Sequence, residues 1–236
     1  DPAPCPSAKS SFSHDDVRAF AAGNAFACFG AGFELAAAHQ RTPGIPSGRM
    51  QLIDHVSLFD PAGGPWGRGY IKAEYEAPTD AWFYDGHFKN DPCMPGTLMA
   101  EAATQTLAFY MAALGFTQKR DGWIFRPVTE EAFKFVCRGQ VIPDKPHAIT
   151  YEIFVEDIID GDEPTIYAAL LASCDGHKVF LCRRFGMKLA RDWPLYHREA
   201  VNDAASDPRI VSPTGDVPGD HRALLACAWG RPSAAF

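Results

Sequence analysis

Glu101 is the only charged residue between Thr97 and Phe116, a stretch that reads TLMAEAATQTLAFYMAALGF. Carboxylates are almost never fully buried without a partner. One in the middle of an apolar helix therefore needs a chemical reason. Upstream stand Asp85-Gly86-His87-Phe88 and then Asp91-Pro92-Cys93-Met94-Pro95-Gly96. A neutral imidazole takes up a proton near pH 7, which suits His87 to the role of base. A carboxyl among Leu98, Met99, Ala102 and Leu107 is expected to have its pKa raised by burial, which suits Glu101 to the role of acid. A glycine opening a long helix offers a backbone N–H, strengthened by the helix dipole, to a developing negative charge. Histidine, glycine and carboxyl are together the parts of an acid/base site with an anion-stabilising helix end.

The elements that must position these groups can be read on either side. The stretch 97–116 is long enough to span a membrane. Glu101, Gln105 and three threonines argue against that, as does the return to polar sequence at Gln118-Lys119-Arg120-Asp121. It reads as a buried central helix ending near Gly115, a suitable cap residue. Before it, Ser13 caps a short helix over His14–Ala22. Residues 40–48 read as an irregular connector, and Gln51–Phe59 and Gly69–Glu76 as strands. After it come strand-like runs at Trp123–Val128, Ala132–Val136, Ala148–Ile159, Thr165–Ser173 and His177–Leu189. Asp160-Gly161-Asp162 is a turn signal among them, and Asp175-Gly176 is a hairpin signal. Strands, one apolar helix, then long antiparallel strands describe an α+β domain with a curved sheet wrapped around the helix.

The 236 residues are 47% hydrophobic and 22% charged, enough for a real core. The formal charge of −7 argues against a nucleic-acid binder. Seven cysteines, odd in number, widely spaced and never in Cys-x-x-Cys, fit neither a disulfide framework nor a zinc site. A reducing, cytoplasmic compartment is expected, and the opening DPAPCPSAKS carries no apolar signal run. Residues 1–12 read as a flexible lead-in, 13–195 as the domain, and the polar, acidic segment 196–220 as a linker. Ala22–Phe29 can be laid over Ala228–Phe236, with Gly23 on Gly230 and Phe29 on Phe236. Either 221–236 begins a second copy of the domain or the match is chance in Ala-rich sequence.

Residues 81–110 resemble the hotdog-fold 3-hydroxyacyl-carrier-protein dehydratases. The family motif has the form Gly-x-His-Phe or Gly-His-Phe, then Asp-Pro-x-Met-Pro-Gly, then an acidic residue and a Gln on the helix. Here it reads Gly86-His87-Phe88, Asp91-Pro92-Cys93-Met94-Pro95-Gly96, Glu101 and Gln105. The nearest pattern is the 3-hydroxydecanoyl-carrier-protein dehydratase/isomerase. Dehydratase domains of polyunsaturated fatty acid and polyketide synthases are closest in flavour, through Trp82–Gly96, Phe109-Tyr110 and Leu114-Gly115-Phe116. The resemblance covers about residues 12–195. It implies a hotdog fold and dehydration of 3-hydroxyacyl thioesters on acyl carrier protein. It implies no metal or organic cofactor, since the phosphopantetheine arm arrives with the substrate. His87 and Glu101 would be catalytic, and Gly96, Cys93, Phe88 and Gln105 would form the oxyanion and substrate-binding set. In this family the acid comes from the helix of a partner hotdog, so a homodimer or a pseudo-dimer with a second hotdog is implied. The acid is Glu, as in the plain dehydratases, where the dehydratase/isomerase has Asp; isomerisation stays open.

Other residues receive plainer readings. Cys93 lines the pocket, since no second histidine is near in sequence. Gln105 supports by hydrogen bonding. Asp85 and Asp91 are turn and cap residues, and His55, His147 and His177 are surface or strand residues. Lys119, Arg120, Arg126, Lys134, Arg138, Arg183 and Arg184 either greet an acidic carrier protein or form a solvated face. Two other functions remain open: a hotdog thioesterase, and an inactive hotdog kept for structure or carrier docking.

Overall fold

A computed structural model describes residues 5–191 and the backbone of residues 210–211 and 218–219. The chain divides into two units, Asp1–Arg191 and Asp192–Phe236. In the second, Ile210–Val211 pairs antiparallel with Pro218–Gly219. The remainder of the expected linker, and the expected second repeat at 221–236, lie outside the described residues.

The first unit is built around one helix. Helices α1 (His14–Ala21) and α2 (Ala25–Phe29) come first, then strands β1 (His55–Asp60) and β2 (Tyr70–Ala77), then α3 (Gly96–Ala113). Strands β3 (Trp123–Pro127), β4 (Lys134–Cys137), β5 (His147–Ile159), β6 (Thr165–Cys174) and β7 (His177–Arg191) follow. The antiparallel sheet runs β1-β2-β5-β6-β7-β3. The long β7 is shared: its first half pairs with β4, through Phe180↔Cys137, and its second half with β3, through Arg191↔Trp123. Asp175 and Gly176, both at positive φ, make the two-residue loop that turns β6 into β7.

Every residue of α3 from Gln105 to Ala113 is buried, whichever way it faces. An apolar helix of this kind must be covered all round. Strands β2, β5, β6 and β7 cover one side. The N-terminal segment covers the other. Phe109 of α3 meets Phe12, Phe20 and Phe29, with ring centroids 5.0, 5.3 and 5.2 Å away. Aromatic pairs at such distances are favourable beyond their buried area. The fold is an α+β hotdog, a curled antiparallel sheet around a central helix.

Residues 1–12 read as a flexible lead-in; 1–4 lie outside the described residues, and from Ser7 onward the segment is tied down by hydrogen bonds. Ser7 is buried, its N–H donates to the Ala113 carbonyl at the end of α3, and its hydroxyl donates to the Phe29 carbonyl. Phe12 exchanges both backbone hydrogen bonds with Val56 of β1. The serines that suggested mobility instead pair with neighbouring backbone, Ser7 as above and Ser10 by accepting the Phe59 N–H on its carbonyl. Ser13 caps α1 as expected, in a capping box with Asp16.

Gly69, just before β2, fixes how closely sheet and helix approach. Its φ is +137°, and a Cβ there would lie 1.8 Å from the Tyr110 hydroxyl oxygen. Tyr110 is fully buried and cannot swing away. Gly69→Ala is expected to destabilise the domain by about 3 kcal/mol through overpacking and backbone strain. Urea unfolding monitored by circular dichroism measures this, and an unchanged midpoint would contradict the packing described.

Candidate active site

The run from His87 to Gly96 is held by a short set of backbone bonds. Phe88 and Asp91 exchange N–H to carbonyl bonds of 3.1 and 3.2 Å, which close a turn. The Cys93 N–H donates to the His87 carbonyl at 2.6 Å, and the Met94 N–H donates to the Val141 carbonyl at 2.8 Å. Pro95 then precedes α3, whose N-terminus no side chain caps. Asp91 is thus a turn residue and not a cap.

These bonds orient His87. Its Nδ1 lies 3.0 Å from the Cys93 carbonyl oxygen. A carbonyl can only accept, so Nδ1 carries the proton, and in neutral imidazole Nε2 then holds the lone pair. Cys93 Sγ lies 3.5 Å from the same Nδ1. A protonated Nδ1 cannot take the thiol's proton, and burial pushes the Cys93 pKa up, with a smaller push from Asp91. Both facts place Cys93 as neutral lining, not as an activated nucleophile. Phe88 stacks on the imidazole at 4.2 Å and 28°, with its outer side exposed.

His87, Cys93, Met94, Gly96 and Met99 line a pocket of about 290 Å³, whose lining residues 137–140 complete. Gly96 opens the helix within this pocket. A Cβ at Gly96 would stand 2.5 Å from Cys137 Sγ, so the close approach of β4 to the helix end requires glycine here. Cys137 also has its pKa raised by burial, and presents a neutral thiol.

Glu101 is placed elsewhere. It lies about 200° around the helix from Met99. It is half-buried and shares a partly exposed stripe with Thr97, Ala100 and Thr104. Gln105 is 2% exposed and holds it in place. The Gln105 amide nitrogen donates to Glu101 Oε1 at 2.9 Å and to the Met50 carbonyl at 2.7 Å. Its oxygen accepts from the Leu52 N–H at 3.0 Å. The structure therefore brings together His87, Phe88, Cys93 and Gly96, and separately Glu101 and Gln105. Glu101 is not among the residues that line the His87 pocket.

The far wall, Cys137, Arg138, Gly139 and Gln140, was not expected in the site. Its nearest signal was Arg138, read only as one of the basic residues that greet a carrier or form a solvated face, which says nothing about which helix end it will meet. Two other basic residues are already engaged. Arg184 lies within 3.7 Å of Glu131 and Glu156, and Arg120 lies over Trp123.

Residues 45–183 match the family model of the FabA-like domain. That is more than half of the chain, and the chain belongs to this family. Among solved structures, the dehydratase heterocomplex ApeI:P from Xenorhabdus doucetiae is 12% identical, with a TM-score of 0.44, over 65% of this chain and 91% of that one. A hypothetical thioesterase from Streptococcus pneumoniae TIGR4, solved with coenzyme A, is 10% identical, with a TM-score of 0.36, over 52% and 82%. A mutant of the fluoroacetyl-CoA-specific thioesterase FlK is 8% identical, with a TM-score of 0.42, over 58% and 94%. Among the described residues no helix is long and apolar enough to cross a membrane.

Removing the Gln105 amide would orphan the Leu52 N–H and the Met50 carbonyl and free Glu101. Gln105→Ala is expected to cost about 3 kcal/mol of stability. Chemical denaturation checks this; a loss below about 1 kcal/mol, the net worth of an ordinary hydrogen bond, would contradict the bonding described.

Proposed function

We propose that this FabA-like domain removes water from 3-hydroxyacyl thioesters carried on acyl carrier protein, giving trans-2-enoyl thioesters. The observation that carries the reading is His87. Its Nδ1–H is committed to the Cys93 carbonyl, which leaves Nε2 basic, in a pocket that the helix N-terminus at Gly96 also enters. Nε2 takes the C2 proton of the substrate. The electrons of that C–H bond flow toward the thioester carbonyl, whose oxygen gains negative charge and accepts from the Gly96 N–H. They return to form the C2–C3 double bond as the C3 hydroxyl leaves, protonated by Glu101. Water and the enoyl thioester are the products. No metal or organic cofactor takes part, and the phosphopantetheine arm belongs to the substrate. The setting is fatty acid, polyunsaturated fatty acid or polyketide synthesis in the cytoplasm.

Glu101 on the partly exposed stripe supports a site shared between two hotdog units, with His87 from one and Glu101 from the other. Two identical chains would make two such sites. Arg138 at the pocket wall, with Lys134 and Arg183 as register partners on neighbouring strands, supports an acidic carrier as the substrate's bearer.

His87→Ala and Glu101→Gln are each expected to lower the rate of water loss by roughly 10²- to 10⁴-fold, the usual contribution of one general acid or base. Enoyl-thioester absorbance reports the rate, and an unaltered fold is checked by circular dichroism. Full turnover by His87→Ala would sink the proposal.

The same two variants, co-expressed, are expected to regain activity. A mixed pair carries one site with both His87 and Glu101 intact. Persistent inactivity of mixed dimers, purified by two different tags, would place acid and base within one chain.

A further inference from the structure

His147 opens β5, is buried, and meets an acceptor at each ring nitrogen. Nδ1 lies 2.9 Å from Asp175 Oδ2. Nε2 lies 2.9 Å from the Ile142 carbonyl oxygen and 2.8 Å from Asp144 Oδ1. Neutral imidazole has one N–H and can serve one side only, whereas imidazolium serves both. The charged and titratable groups that face the ring come from two places. Asp144 and Lys145 lie on the turn before β5, and Asp175 and the Cys174 thiol lie at the β6–β7 hairpin. Burial works against a charged ring, but the bonds to Asp175, Asp144 and the Ile142 carbonyl outweigh it, and the pKa is raised. Asp175 is held well below the usual carboxylate range, by Lys145 first and then by His147. His147, Cys174 and Asp175 are close enough to share a metal ion. Lys145, however, already supplies a cation to Asp175 at 2.9 Å. Burial also pushes the Cys174 thiol up to about 11. The cluster is an ion-paired clamp.

The clamp grips the connector between β4 and β5. Arg138, Gly139 and Gln140 of that connector line the His87 pocket. The next residue, Val141, is fully buried and takes the Met94 N–H on its carbonyl. Ile142, which His147 holds, follows directly. We propose that His147 is a positioning residue: as an imidazolium it fixes residues 138–146 and, through Val141 and Met94, the pocket wall that faces His87. The kinetic consequence rests on the dehydratase reading; the geometric consequence does not.

The sign follows from the raised pKa. The clamp is complete below the ordinary histidine pKa of about 6.5 and weakens as pH rises through the raised value. Hydrogen exchange at the Met94 amide, normalised for intrinsic rate, reads it in the full chain. Protection is expected to fall roughly tenfold in His147→Gln at pH 6, the scale of one lost charge-assisted bond. In the wild type it should decline with rising pH toward the variant, whose protection is flat. The kcat for a 3-hydroxyacyl thioester should fall by a similar factor in the variant at low pH and converge with wild type at high pH. A merely structural loss would not give that convergence. Met94 protection that is independent of pH in the wild type, or unchanged in the variant, overturns the proposal. If the variant does not fold, the wild-type pH series decides alone. Protection that follows His147 in a wild type without turnover would remove the dehydratase reading and leave the clamp standing.

Discussion

A helix that is apolar on every side has to be enclosed, and the architecture follows from enclosing α3. One sheet covers only one side of a cylinder. The curled strands β2, β5, β6 and β7 supply that side, and α1, α2 and the segment leading into them supply the other. Burial is complete from Gln105 onward, so the helix can meet the surface only in the turns before it. Those turns carry Gly96 and Glu101. The two residues proposed for the chemistry sit there because the core leaves no other part of the helix accessible.

The entrance of the helix is held from both directions. On one side the His87–Cys93 bonds hold the imidazole against the backbone that leads into the helix. On the other, Val141 receives the Met94 N–H, and Cys137 packs where a Gly96 side chain would be. Neither wall belongs to a regular element alone. Each is a loop pinned by backbone hydrogen bonds, so a small change in the β4–β5 connector reaches the pocket directly. A charged clamp at the far end of that connector is therefore a way to set pocket geometry without touching substrate.

Much of this was legible in the sequence, and the parts that were not share a cause. Strand alternation placed β2, β5, β6 and β7 to within about two residues, because one face of each packs on α3. Strand β1 begins at His55 and not at Gln51, since Leu52 spends its N–H on Gln105 and not on a neighbouring strand. Helix α2 was missed because five residues give no helical period; only its Asn24 cap marks it. His147 reads as an ordinary strand histidine until the hairpin at Asp175 is brought against it. The wall at 137–140 was invisible for the same reason, since its neighbours are 38 to 53 residues away in sequence. Local pattern reports which face is buried and is silent on what it is buried against. The separation of Glu101 from the His87 pocket is a matter of helix angle, and the sequence already contained it: Met99 and Glu101, two residues apart, cannot share a helical face.

The central claim is that His87 carries a proton on Nδ1, fixed there by the Cys93 carbonyl, so that the neutral ring has its lone pair on Nε2. Two-bond proton–nitrogen correlation spectra of the histidine side chains, with His87 assigned through His87→Ala, test it directly. At a pH above the histidine range the account predicts the Nδ1–H tautomer for this residue. A signal from the Nε2–H tautomer would contradict it, because the nitrogen assigned to take the substrate proton would already carry one.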